Sequence, residues 1–167
     1  MKDILIKQLA KIYNLLKSCS FHVQYDAYRR KYDLHPSFKF NGEGITFGGD
    51  GEIIIGMGSY IGKFSSLQSA VNAKIEIGNN VSISHNVRIY TTSRDPDQDF
   101  TLTKRTFSKS VYIGDGVWIG ANVFINPGVR IENGVVIGAN SVVTKNLLEN
   151  GIYGGSPARL IRLKSLE

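Results

Sequence analysis

Few residues in this chain can do chemistry. Of 167 residues, three are His and one is Cys. His22 and His35 precede a patterned region that declares itself from about Ile45, and His85 lies inside it. Three histidines from neighbouring turns, as a zinc site on a solenoid needs, cannot be gathered from this set, so no metal is expected. Cys19 alone gives no disulfide framework, and a buried inert thiol is its expected state. His85 has the mid-range pKa that proton transfer asks for. It also reads as a surface residue that helps a turn or a contact between subunits. Asp95 and Asp97 are carboxylates, weak bases unless their pKa is raised. Arg94 beside them keeps its proton at neutral pH, so it serves as an anion contact, for an acidic sugar or a phosphate.

The element that must position these groups is periodic. From Ile113 the chain runs IGDGVW, IGANVF, INPGVR, IENGVV, IGANSV, and Val143 opens the next six. Neither the helical period nor the strand period produces sixes. A solenoid with three short flat sides does. The opening aliphatic points inward, the residue four places later fills the interior near the corner, and Gly, Asn or Asp between them make the turn. His85 is third in its six and is therefore expected to point outward. Ile55, Ile61 and Leu67 keep the sixes, the phase slips near residues 70–74, and Ile77, Ile83 and Ile89 resume them. Ile89 and Ile113 are again in phase across a polar stretch of about residues 91–110, read as an extruded loop of the kind that carries function.

The expected organisation is an N-terminal helical and capping segment (1–44), a β-helix with its loop (45–146) and a C-terminal cap (147–167). Residues 3–18 repeat apolar side chains at helical spacing and predict an amphipathic helix, packed on the solenoid end, on a neighbouring subunit or on a membrane surface. Aromatic residues from Tyr25 to Phe40 are expected to pack the open end of the first coil, His35-Pro36 to turn, and Leu160, Ile161 and Leu163 to cap the last coil. The net charge of +6 suits a phosphate-rich ligand, an anionic glycan or plain solvation. Modules for nucleic acid are absent, and no apolar run approaches the ~20 residues of a membrane span. With no secretory pattern at the N-terminus, the expected location is cytoplasmic.

From about Ile45 to Arg162 the chain resembles the hexapeptide-repeat O-acetyltransferases, the maltose, galactoside and bacterial polysaccharide enzymes among them. The pieces that carry the resemblance are IYTTSRDPDQDF, GDGVWIGANVFINPGV, GANSVVTK and GGSPARLIR. It implies an all-β fold: a single-stranded left-handed parallel β-helix with an N-terminal α-helix, the extruded loop and a short C-terminal cap. The left hand comes from the resemblance alone, since most crossovers are right-handed. It further implies a homotrimer with acetyl-CoA between adjacent solenoids, and direct transfer of the acetyl group to the hydroxyl of a small-molecule or glycan acceptor. A loop histidine would act as base and backbone amides would steady the oxyanion.

By the same resemblance, the donor would meet Trp118 near its thioester. Backbone around Gly120-Ala121 and Gly138-Ala139 would line the pantetheine arm, Thr144 and Lys145 the nucleotide end, and Arg159 and Arg162 the phosphates. Ser65, Ser66 and Tyr90, on neighbouring coil positions, are the expected acceptor contacts. Tyr90, Thr91 and Trp118 match the family pattern, but the position of the family's histidine holds Arg94. His85 or a carboxylate therefore replaces the base, or Arg94 is a chance or engineered substitution, or the chain is a non-catalytic binding or scaffold member. The loop and short N-terminal region favour a surface polysaccharide or its precursor as acceptor.

Overall fold

The computed structural model describes residues 2–165 and divides into two compact units between Lys31 and Tyr32. The first is one helix, α1 (Lys2–Lys31). It runs past the expected end at residue 18 because nothing stops it: the first Pro is Pro36 and the first Gly is Gly42. Tyr25 and Tyr28 are thus helical residues. The Phe21 and Tyr25 rings stack at 6.1 Å and the Gln24 amide donates to the Tyr28 hydroxyl at 2.6 Å. Cys19 is exposed, not buried as expected.

The second unit is a parallel solenoid of five coils, each laying one strand on each of three faces. The first coil holds β1 (Asp33–Leu34), β2 (Lys39–Asn41) and β3 (Thr46–Gly48). The second holds β4 (Glu52–Ile55), β5 (Tyr60–Gly62) and β6 (Ser66–Gln68). The third holds β7 (Lys74–Ile77), β8 (Ser82–Ile83) and β9 (Arg88–Tyr90). The chain then leaves as a hairpin, β10 (Thr92–Arg94) against β11 (Thr106–Ser108). It returns as β12 (Val111–Ile113), β13 (Trp118–Ile119) and β14 (Phe124–Ile125), followed by β15 (Arg130–Ile131), β16 (Val136–Ile137) and β17 (Val142–Val143). Finally β18 (Gly151–Gly154) continues the second face and β19 (Arg159–Leu163) folds back antiparallel on it. The three faces stack in the orders β1-β4-β7-β12-β15, β2-β5-β8-β13-β16-β18-β19 and β3-β6-β9-β14-β17.

The solenoid starts at Asp33, before the sixes become legible near Ile45. Two of the first coil's three openers are aromatic, Phe40 on Ile61 and Phe47 on Leu67, while Leu34 stacks on Ile55. Tyr32, Phe38, Ile45 and Phe47 are buried, with Phe38 edge-on to Phe40 at 4.9 Å and Phe40 against Phe47 at 5.3 Å. Above it the inward residues stack in register, Ile77 on Ile113 on Ile131 on the first face, Ile83 on Ile119 on Ile137 on the second, and Ile89 on Ile125 on Val143 on the third. Each such burial is worth about 1.5–3 kcal/mol. The far end is closed by Tyr153, whose hydroxyl accepts the Leu148 N–H at 2.9 Å. Leu160, Ile161 and Leu163 do not cap the coil as expected. They stay exposed because β19 joins β18 through main-chain bonds beside the interior rather than across it.

One extra residue separates Phe40 from Phe47 in the first coil, where Ile61 and Leu67 of the next are six apart. The larger irregularities fall at one corner, where the third face passes to the first face of the next coil. The slip near residues 70–74 is there, and so is the hairpin. Asn79 and Asp115, on adjacent coils, are 36 residues apart, whereas Asp115 and Asn133 are 18 apart. The hairpin excursion therefore adds one coil's worth of chain, which is why phase survives it.

The other corners are stitched by side chains. Where the first face turns to the second, Asn79 Oδ1 accepts the Met57 N–H, Asp115 Oδ1 the Asn79 N–H, and Asn133 Oδ1 the Asp115 N–H, at 2.6–2.8 Å. Each capping residue is third in its six. The fourth places take positive φ: Asn86, Asn122 and Asn140 at the next corner lie at 57°, 59° and 60° and join in a ladder at 2.8 and 3.0 Å. Phe64, in the same column, holds φ 60° with a bulky side chain, an unfavourable arrangement for anything but Gly, Asn or Asp. Asn122→Ala should lower stability to urea unfolding by about 1–2 kcal/mol, whereas Phe64→Asn should raise it by up to about 1 kcal/mol. Effects of the same sign would contradict this account of the corners.

Candidate functional site

The corner between the second and third faces differs from the first in one respect. Its third-place residues are Lys63, His85, Ala121 and Ala139 on successive coils. His85 behaves as Asn79, Asp115 and Asn133 do: its Nδ1 accepts the Lys63 N–H of the coil before at 3.0 Å. Alanine has no acceptor to offer. The N–H groups of His85, Ala121 and Ala139 accordingly meet no acceptor among the described residues, and they stand one above another at the coil spacing of about 4.8 Å. The carbonyls on this edge are already engaged, His85 with the Asn122 N–H at 3.0 Å and Ala121 with the Asn140 N–H at 2.9 Å. Gly120 permits the close stacking, since a Cβ there would lie 2.6 Å from the Ala139 nitrogen. The result is a row of outward donors suited to a carbonyl, an amide or a developing oxyanion.

Several expected residues gather on this edge. Trp118 precedes it on the second face, 54% exposed, between Ser82 and Val136. Gly138 stacks over Gly120, whose N–H meets the Ile137 carbonyl at 2.8 Å. Arg159 pairs with Gly154, which follows Gly138 in the stack next to the column, and Arg162 pairs with Ile152, both exposed on β19. The turn between β18 and β19 lies along the third face, with the Ala158 N–H on the Val142 carbonyl at 2.8 Å.

Others lie elsewhere. Thr144 and Lys145 are at the opposite edge of the third face, five and six residues beyond Ala139 along the chain, a reach of at most about 18–22 Å. Tyr90 is on that edge as well, edge-on to Phe124 at 5.4 Å. Ser66 faces outward on the third face and accepts the Thr46 hydroxyl at 3.0 Å. Ser65 points inward. Its hydroxyl donates to the Ser84 carbonyl and accepts the Val87 N–H, and the residue is buried, so it is spent on the corner and cannot meet an acceptor from outside.

His85 and Arg94 are held apart by the third face, one at each edge. His85 is also held in one tautomer. Because Nδ1 accepts a backbone N–H, the neutral ring carries its proton on Nε2 and presents a donor there. The open amides of Ala121 and Ala139 were missed in the sequence as a hydrogen-bonding feature. The signal was a third place that is polar at one corner and Ala at the next.

Comparison with known proteins agrees with this geometry. Residues 110–145 match the family described as Bacterial transferase hexapeptide (six repeats). A maltose O-acetyltransferase from Clostridium difficile 630 superposes with a TM-score of 0.62 at 33% identity, over 76% of this chain and 70% of that one. The chain belongs to the hexapeptide-repeat acetyltransferase family. Its fold is that family's left-handed parallel β-helix. A hexapeptide-repeat acetyltransferase from Vibrio cholerae O1 biovar eltor, solved with acetyl coenzyme A, superposes with a TM-score of 0.63 at 27% identity, over 85% of this chain and 77% of that one. The galactoside O-acetyltransferase of Escherichia coli K12 is 41% identical over 88 residues, 53% of this chain and 43% of that protein. The chain spans less than half the length of the curated relatives it matches.

In this hexapeptide-repeat chain the extruded loop is a folded unit. Its centre is Gln98, 8% exposed. The Gln98 amide nitrogen donates to the Asp95 and Arg105 carbonyls at 2.7 and 2.8 Å, and its oxygen accepts the Thr103 hydroxyl and the Arg105 N–H. Asp95 is paired with Arg105 at 3.3 Å and caps the Asp97 N–H. Asp99 accepts the Thr101 hydroxyl and N–H, and these bonds, the hydroxyl first, hold its carboxyl below the ordinary value of 3.8. That contribution is complete above pH ~4 and is lost as pH falls through the lowered folded value. Arg94 extends from β10 opposite Thr106, exposed. Gln98→Ala should lower the hydrogen-exchange opening free energy at the Arg105 amide by about 2–3 kcal/mol. Protection of the Ile119 and Ile125 amides should not change, and unaltered protection at Arg105 would contradict the central role of Gln98.

Proposed function

We propose that the protein is an acetyl-CoA-dependent O-acetyltransferase acting on a carbohydrate hydroxyl, of a surface polysaccharide or its precursor, and that it works as a cytoplasmic homotrimer. The observation that carries this reading is the row of open amides at His85, Ala121 and Ala139 beside Trp118. The thioester carbonyl of the donor would lie against these donors. The acceptor hydroxyl loses its proton to a base and attacks that carbonyl, the oxyanion forms against the amides, and the carbon–sulfur bond breaks to release the CoA thiol. Trp118 would flank the thioester, with Gly120 and Gly138 along the pantetheine arm. Arg159 and Arg162 would meet phosphates, and Thr144 and Lys145 the nucleotide. Ser66 and Tyr90 face the acceptor, and Arg94 binds an acidic group on it.

The base is His85. It lies on the donor edge, and accepting a proton at Nε2 requires it to move its own proton to Nδ1 and release the Lys63 N–H. A second reading, a non-catalytic binding or scaffold member, is favoured by that same bond, which ties His85 into the corner as a cap.

Thiol release from acetyl-CoA with a panel of sugars and oligosaccharides separates the two. The native chain should turn over, and His85→Ala should lower kcat by about 10²–10⁴-fold with CoA binding retained. Turnover by Arg94→His alone would support the second reading. Failure to bind CoA would sink the acyltransferase reading.

A further inference from the structure

α1 carries an apolar seam that the reading above leaves unused. Leu5, Leu9, Ile12, Leu16, Cys19 and Val23 follow one another at spacings of four, three, four, three and four. This is the 3.5-residue repeat of a coiled coil, with Leu9, Leu16 and Val23 at a positions and Leu5, Ile12 and Cys19 at d positions. The five apolar members are each more than half exposed, and Cys19 is exposed as well. Ile6, Tyr13 and Leu15 flank the seam and are also exposed, widening the stripe beyond what one partner helix covers. Lys7, Lys11 and Lys17 fall at f, c and b positions, on the outer side of such a bundle. The next seam positions are Asp26 and Arg30, so the apolar run ends at Val23 after about 27 Å of helix.

We infer that α1 is the strand of a parallel, in-register coiled coil formed with the α1 helices of two further copies of this chain. The inference rests on the homotrimer reading, because a threefold assembly makes equivalent helices parallel. Apolar residues spaced four and three apart also suit a bilayer surface; the threefold assembly, which supplies two equivalent parallel seams, favours helices as the occupant. Parallel register sets Cys19 of one chain against Cys19 of its neighbours. Antiparallel pairing of the same seam would set Cys19 near Leu9 and part the two thiols by about 15 Å along the axis, beyond disulfide reach.

The chain contains one cysteine, so Cys19 is its own probe. The full-length protein is sized by sedimentation equilibrium, oxidised mildly and run without reductant, beside Leu9→Lys/Leu16→Lys and Cys19→Ser. The expected result is a trimeric mass and a disulfide-linked pair that survives dilution. The pair should be lost both in the double-lysine variant, which keeps Cys19, and in Cys19→Ser. A trimeric mass without the Cys19 pair overturns the coiled coil and leaves the homotrimer standing. A monomeric mass overturns both. Co-sedimentation with phosphatidylserine vesicles, in a chain that forms no Cys19 pair, overturns it in favour of a lipid surface.

Discussion

The structure depends on the parallel stacking of coils in register. An inward Ile at each side meets an inward Ile or Val on the coils above and below, and the ladders between them allow no slippage without turning the aliphatic residue outward. Chain length per coil is therefore fixed wherever the stack must close. Extra residues are tolerated only where they can leave the stack and return to the same place. The corner between the third and first faces takes the larger ones, and the largest excursion becomes a hairpin organised by Gln98.

The same register decides what each corner can do. A third-place side chain reaches down to the N–H of the coil before it, so Asn79, Asp115 and Asn133 close the first corner. His85 does so at the second. From Ala121 upward that corner stays open, and the unanswered amides follow from a missing side chain rather than from an added group. Catalytic potential here comes from leaving part of a repeat unfinished, on a scaffold whose neighbouring repeats hold it rigid. His85 stands at the boundary between the closed and open parts of the column, which is why its two readings, cap and base, compete for one nitrogen.

Much of the solenoid was legible because inward and outward positions alternate on a period that no helix or plain strand produces. The loop was legible as a break that kept phase. The first coil was not, because Phe40 and Phe47 take places that aliphatic openers mark in later coils, and they stand seven rather than six residues apart. The length of α1 was under-read since its apolar stripe gives way to aromatic and basic residues while the helix continues. Ser65 looked like a surface hydroxyl because sequence does not say which hydroxyls a corner consumes. Leu160, Ile161 and Leu163 looked like a cap because their apolarity does not reveal that the strand bearing them pairs beside the core. The residues expected at the donor edge were placed by motif. What makes that edge distinctive, amides without acceptors, is a relation between coils.

The most direct measurement is calorimetric titration of CoA into the native protein and into Ala139→Asn. Asparagine at this third place should cap the Ala121 N–H as Asn133 caps the Asp115 N–H. The account predicts CoA binding to the native chain and an affinity about ten-fold weaker in the variant, the equivalent of one lost hydrogen bond, with thermal stability undiminished. Equal affinity in the two proteins would contradict the claim that the open amides form the donor site.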